Sequence, residues 1–509
     1  MEINDLTPAE RRVWDAFPRG ERVDFQEDPD EDASDGARWG PERTLRAEVL
    51  AVLLLSDLAA PGQVPGLNVR GARITGKLIL KYAVVEHAIR LRACWFERKP
   101  VLHGARLRAV SLNDSTLPGL TASTVTIDIA LRLSCCRITG PVRLSGARIA
   151  GGLFIRKAVI GTPDAPPEPR EALEPRERQE PPEPPETPEP PLQINHADIG
   201  TDVIAMDLTV HGQTRINGAV VGGQINLDGA RLLAPGGIAL HAENLTVGTD
   251  LRANRLRARG MVNLTGSRIP GQAYLARADL ANPGGTALRA SSCTIGELWL
   301  RRCAPIRGDV NLRRSTFDLL HIEPGTWPEQ IRIDGLTYRT LAPHLPAEQR
   351  LPALEREEAG YLPYAYEQLA AAYRTAGDEA AARTVQLAKM RRHRRTQPRH
   401  TRAWGLLQDA TVGYGFRPLR AAGWLLALLV TGTLAYGLHP PRALKAGEAP
   451  DFNPVFYTID LMLPIIGFGQ EGAYAPSGWY QWLSYLLIVT GWVLATTTAA
   501  GVSRSLQRQ

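Results

Sequence analysis

The feature that most limits what this chain can fold into is an eleven-residue unit that returns through its middle. Ala72-Arg-Ile-Thr-Gly-Lys-Leu-Ile-Leu, Ala147-Arg-Ile-Ala-Gly-Gly-Leu-Phe-Ile and Ala219-Val-Val-Gly-Gly-Gln-Ile-Asn-Leu align without a gap. The shared pattern is small, any, aliphatic, any, glycine, any, aliphatic, any, aliphatic, any, glycine. Units come in pairs, so Ala72, Cys94 and Thr116 stand twenty-two residues apart, as do Ala197 and Ala219. Within a unit the apolar positions alternate, which is how a strand with one buried face reads. Strands of four or five residues cannot bury that face alone; stacked coil on coil they share one interior. A helix is excluded by Gly76, Gly151, Gly223 and Gly271, each costing about 1 kcal/mol there. The expected fold is mainly β: a right-handed parallel β-helix (solenoid) over residues 65–325.

One interruption, residues 162–191, is rich in proline and glutamate, as in Glu-Pro-Pro-Glu-Pro-Pro-Glu. Such a segment cannot donate to a strand ladder, so a solvated polyproline insertion is expected. A docking tract for a proline-reading partner is the alternative. Residues 1–64 form an acidic N-terminal segment and a capping helix. Asp24, Glu27, Asp28, Asp30, Glu31, Asp32 and Asp35 repel one another, which predicts a solvated stretch over 1–36. Pro41 to Leu55 places Leu45, Val49, Val52 and Leu53 at helical spacing and predicts the cap.

Residues 341–404 turn helical. Tyr366, Leu369, Ala370 and Tyr373 share one face, Gly377 ends that helix, and Asp378 caps a second carrying Ala381, Val385 and Ala388. The pair looks like a tetratricopeptide-type hairpin. A basic run follows: Lys389, Arg391, Arg392, Arg394, Arg395, Arg399 and Arg402. In a soluble protein it would suggest nucleic acid. Here it lies close to an apolar stretch, where basic residues set topology and meet anionic lipid, so membrane lipids and not nucleic acid are the expected partner.

Residues 405–509 read as a transmembrane module. Apolar stretches at about 421–438 and 482–502 meet the roughly 17–25 residues a spanning helix needs. Between them, residues 453–470 are too short to cross, and Asn453-Pro454 opens a half-helix that Pro464 ends. Non-helical backbone at membrane depth survives only when buried in protein or lining a watery path, so this segment is read as re-entrant. Asp460 is the single acid inside it, either paired and functional or solvated at the interface. The bias of basic residues puts both termini in the cytoplasm of a multi-pass protein of the inner (plasma) membrane. The absence of a cleavable signal at the N-terminus points the same way.

Chemistry is thinly marked. No dinucleotide, Walker, HExxH or GxSxG motif appears, and His87, His103, His196, His211, His241 and His321 are scattered. The five cysteines (94, 135, 136, 293, 303) lack CxxC spacing and read as small buried residues in a reducing compartment. No cofactor and no metal ligand are expected, and the reading leans away from an enzyme.

Two resemblances bear on function. Span, half-helix, glycine-bearing loop and span resemble the pore module of two-span cation channels. Ile465-Ile466-Gly467-Phe468-Gly469-Gln470 falls on the channel family's Thr-Val-Gly-Tyr-Gly-Asp loop, whose carbonyls coordinate ions. Asp460 and Pro464 flank it, and Gly491 matches the hinge glycine. Ile465 and Gln470 depart from the family's threonine and aspartate. The resemblance implies a homo-oligomer, a tetramer if channel-like, and leaves a conducting pore, an anchor of pore-like fold and plain anchors as alternatives. Along nearly its whole length, with Gly413-Tyr-Gly-Phe-Arg-Pro418 and Trp492-Val-Leu-Ala-Thr, the chain is also similar to actinobacterial membrane proteins labelled membrane-associated oxidoreductase. That label implies redox activity without supplying a motif. A pentapeptide-like solenoid offering a surface to a cytoplasmic protein partner completes the expectation.

Overall fold

The structure is a computed structural model that describes residues 5–28, 31–56, 58, 62–163, 189–396, 418–445, 449–463 and 467–506, with side chains throughout except at 396, 418–422 and 495–506. It divides into two compact units, Met1–Ala376 and Gly377–Gln509.

Unit 1 is a parallel β-solenoid of about eleven turns. One turn holds four short strands: Thr126–Ile127 and Ala130–Arg132 in one sheet, then Arg137–Ile138 and Val142–Arg143 in the other. One turn later Ile149, Leu153, Ile160 and Leu192 take the same places in parallel register. Their side chains stack inward, and all four are at most 1% exposed. Each such side chain contributes roughly 1.5–3 kcal/mol of burial. The stack closes across the proline-rich insertion, because Val142 pairs with Leu192 and Arg148 with Asp198. Residues 164–188 of that insertion lie outside the described set.

The eleven-residue period comes from the corners. Asp114, Thr124, Cys135, Gly146 and Lys157 all sit in the left-handed region, at φ 61°, 54°, 59°, 67° and 51°. Each is followed by a buried residue that turns inward: Ser115, Val125, Cys136, Ala147 and Ala158. The unit's last glycine and first small residue are therefore one tight corner, and glycine is optional there. Elsewhere glycine is required. A Cβ on Gly200, Gly222 or Gly248 would lie 2.0, 2.2 or 1.9 Å from the carbonyl oxygen of the coil beneath. The expected step also needs correction. Arg73 pairs with Trp95 and Trp95 with Thr116, so Ser115 and not Thr116 follows Cys94 in the small slot.

The ends differ from expectation. Residues 1–36 do not form a solvated stretch where described. A capping box between Thr7 and Glu10 starts helix α1 (Pro8–Ala16), and Phe17 and Phe25 are buried. Val23–Asp24 pairs with Val69–Arg70, adding an opening turn. The acids do not repel freely because Glu31 pairs with Arg43, Asp32 with Arg137 and Glu10 with Arg46. Where a helix was expected from Pro41, Thr44–Arg46 is a strand against Arg73–Thr75, and helix α2 spans only Ala47–Leu55. At the other end the ladder runs past 325, through Ile331–Arg332 and Thr337–Ala342. Helices α3 (Ala347–Leu354) and α4 (Pro363–Thr375) then cover it, with Ala365 and Ala372 in the solenoid core. Tyr366, Leu369, Ala370 and Tyr373 form the buried face of α4.

Unit 2 is helical. Asp378 caps helix α5 (Glu379–Thr396), its Oδ1 accepting from the Ala381 N–H at 2.9 Å. Helices α6 (Pro418–Leu438), α7 (Pro454–Met462) and α8 (Trp479–Leu506) pack together. An antiparallel ribbon, Arg442–Ala443 with Tyr474–Ala475, lies between them in sequence. Among the described residues no helix is long and apolar enough to cross a membrane.

Candidate functional site

The site is assembled around α7. Asn453 caps its first turn, accepting from the Val455 and Phe456 N–H groups at 2.9 and 3.3 Å, and Pro454 presets the backbone there. Two glycines let α7 sink between its neighbours. A Cβ on Gly432 of α6 would meet Thr458 Cγ2 at 2.4 Å, and one on Gly491 of α8 would meet the Met462 carbonyl oxygen at 2.5 Å. Gly491, expected as a hinge, therefore stands at a close helix contact. Tyr436 and Tyr457 pack edge to face, with centroids 5.0 Å apart, beside Leu461, Met462 and Leu487.

Asp460 is only 5% exposed, and it collects the loop. One carboxylate oxygen accepts from the Phe468 N–H; the other accepts from Gln470 N–H at 2.8 Å and Glu471 N–H at 3.3 Å. Gln470 closes the ring. Its side-chain oxygen accepts from Asn453 N–H at 3.2 Å and its amide donates to the Asp451 carbonyl at 2.9 Å. A trans peptide points its N–H and C=O in opposite directions. The carbonyls of Gly467 and Gly469 are therefore turned away from Asp460, and among the described residues neither accepts a hydrogen bond. Gly467, Phe468 and Gly469 are exposed.

Of the residues singled out in the sequence, Asp460, Gly467, Phe468, Gly469 and Gln470 are thus brought together, and Pro464, Ile465 and Ile466 lie outside the described residues. Lys389, Arg391, Arg392, Arg394 and Arg395 occupy the last turns of α5, while Arg399 and Arg402 also lie outside. The sequence reading missed both halves of the Gln470 bridge and the role of Gly432. A glutamine in place of the channel family's acid was the available signal.

The outward faces of α6 and α8 are apolar. Trp479, Trp482, Tyr485, Leu486, Val489 and Trp492 follow one another at helical spacing on α8 and are all at least half exposed. Leu426, Val430, Leu434 and Leu438 do the same on α6. Soluble monomers rarely show so large an apolar patch.

The cysteines of unit 1 are corner residues. Cys94, Cys136, Cys293 and Cys303 take the inward slot, where burial pushes the thiols up to about 12, 12, 11 and 11. Cys136, Cys293 and Cys303 donate to carbonyls of the coil beneath. Protonated, buried thiols are poor nucleophiles. No cluster of three or more His, Cys, Asp or Glu among the described residues could hold a metal ion.

Fold and site together define a parallel β-solenoid protein with a helical C-terminal unit built around a carboxylate-anchored loop. Comparison with protein-family models, curated proteins and solved structures gives no match.

Proposed function

We propose that unit 2 embeds in a bilayer as a channel-like module, and that the solenoid is its cytoplasmic body. The observation that carries this reading is the Asp460 anchor: it consumes the loop N–H groups inward and leaves the Gly467 and Gly469 carbonyls facing out. A loop of that polarity, on a half-helix between two longer helices, suits cation coordination when several copies face one axis. The exposed apolar residues of α6 and α8 support a lipid-facing surface; the length rests on the sequence, where 421–438 and 482–502 are uncharged, since the described residues alone include no helix long and apolar enough to span. Topology follows from basic residues at both ends: a multi-pass protein of the inner membrane with both termini cytoplasmic. The oxidoreductase label gains no support from Cys94, Cys136 and Cys293, whose thiols are buried and held protonated.

Size analysis in mild detergent and current across planar bilayers test the reading together. The expected result is a symmetric oligomer, a tetramer by resemblance, with a cation current that Asp460→Ala abolishes while the protein still inserts. A monomer without current overturns conduction and leaves a membrane-anchored scaffold. Failure to float with phosphatidylcholine vesicles overturns the membrane reading itself.

A further inference from the structure

The solenoid carries its charge unevenly. Residues 66–163 hold sixteen Lys and Arg against four Asp and Glu, whereas residues 189–342 hold sixteen against fourteen. The excess is concentrated on one sheet. Strands Val84–Arg92 and Arg106–Ser111 belong to it, and their outward rows continue into the next turns. Arg106 pairs with Thr126 and Thr126 with Arg148, while Arg90 pairs with Ser111 and Ser111 with Arg132. Four rungs about 4.8 Å apart therefore place Arg90, Arg92, Arg106, Arg108, Arg132 and Arg148 on the outer side of one sheet, about 14 Å from first to last, with Glu86 and Asp128 the exposed acids among them. All six are exposed, and none makes an ion pair among the described residues.

Arginines on the other sheet in the same turns are engaged. Arg73 lies over Trp95 and donates to the Trp39 carbonyl, Arg137 pairs with Asp32, and Arg143 pairs with Glu189. Ion pairs are thus made on one side and not on the other, where Arg132 alone of the six lies over a ring, that of Phe154. Every member is arginine, whose planar fork suits phosphate oxygens better than the ammonium of lysine.

We infer that this face docks on an anionic phospholipid surface. The outer side of the sheet carries no helix or hairpin to enter a nucleic-acid groove. Nor does it offer stacking platforms for bases, since Phe154 lies beneath Arg132 at 4.1 Å. A surface of phosphate headgroups matches its charge, and each arginine brought near such a surface strengthens binding by about fivefold. Docking rests on the membrane reading of unit 2 only for delivery of the solenoid to the bilayer.

Cys135 is an exposed thiol three residues from Arg132, and Cys94, Cys136 and Cys293 are buried. Full-length protein carrying Cys303→Ser, labelled with a donor at Cys135, is reconstituted with headgroup-labelled acceptor lipid. Energy transfer is expected to rise when about 30% phosphatidylglycerol replaces phosphatidylcholine. It is expected to fall again as salt increases from roughly 50 to 500 mM. R90E/R92E/R132E removes the rise, R106Q/R148Q weakens it, and R231E on the other sheet leaves it intact. Transfer that ignores phosphatidylglycerol, or that rises equally in both arginine variants, overturns the inference. Arginine-dependent binding of duplex DNA without a lipid effect makes the partner a nucleic acid and overturns it as well. Flotation with pure phosphatidylcholine reports on unit 2 separately, so the two readings fail by different results.

Discussion

Replacing Gly200 by alanine probes the closest approach in the stack. The new Cβ would stand 2.0 Å from the Ala150 carbonyl oxygen and 2.9 Å from its carbon. Ordinary carbon–oxygen contact needs about 1 Å more. The Gly200 backbone is not left-handed, so the cost is contact alone. Moving one coil about 1 Å off its neighbour stretches the bonds that hold the corner. These are Gly200 N–H to Ile149 C=O and Gly222 N–H to Ile199 C=O, both 2.8 Å. Each is worth about 1 kcal/mol, and overpacking adds about 1–3 kcal/mol of strain. The unfolded chain becomes less flexible, which returns about 0.4–1 kcal/mol. A net loss of about 3 kcal/mol is expected. Gly325→Ala is the control, because a Cβ there meets nothing within 4 Å and its φ is ordinary. Urea unfolding of the full-length proteins, followed by far-ultraviolet circular dichroism, gives both midpoints. Two variants within about 0.5 kcal/mol of each other would refute the close-stack account.

Three further outcomes follow from unit 1. Thr214→Val should stabilise by about 1–2 kcal/mol in thermal unfolding, since the Thr214 hydroxyl is buried without a partner beside a 30 Å³ cavity of aliphatic side chains. Thr124→Gly should stabilise by about 0.5–1 kcal/mol, read as a denaturant midpoint. A β-branched residue at φ 54° is strained by more than the entropy glycine gives back. Burial alone would raise the Glu10 carboxyl. Hydrogen bonds from the Arg46 side chain and from the Thr7 and Arg46 N–H groups outweigh burial and hold it at about 2, below its usual 4.5. That stabilisation is complete above 4.5 and is lost as pH falls toward 2. Denaturant midpoints should therefore drop across that window in the natural protein, and Glu10→Gln should flatten the drop.

The solenoid was legible because its signal repeats: an error in one unit is outvoted by its neighbours, and alternation survives every substitution that keeps the inward rows aliphatic. Register was harder to read. Cys94 steps to Ser115 because a corner residue was dropped, and composition gives no warning when Cys, Ser and Ala all fit one slot. The N-terminal turn was hidden for a different reason. Val23–Asp24 and Thr44–Arg46 are too short to show a period, and their acids look repulsive until the distant arginines that meet them are known. In the helical unit, residue types marked the loop but not its wiring, because Gln470 reaches back seventeen and nineteen residues to Asn453 and Asp451.

That wiring explains why one carboxylate sits in an otherwise apolar half-helix. A loop rich in glycine has no ladder and no helix to take its N–H groups, and unsatisfied amides are costly wherever water is scarce. Asp460 answers three of them at once, with acceptor capacity that a neutral side chain of the same size does not match. The same bonds set the orientation of the Gly467 and Gly469 carbonyls. Stability and any ion-facing role therefore cannot be separated by deleting the carboxylate. Asp460→Asn distinguishes them better: it keeps size and one acceptor oxygen but brings its own N–H donors against the loop amides. If unit 2 assembles and conducts as proposed, a retained oligomer with altered selectivity would assign Asp460 to aiming the loop, whereas loss of the oligomer would assign it to holding unit 2 together.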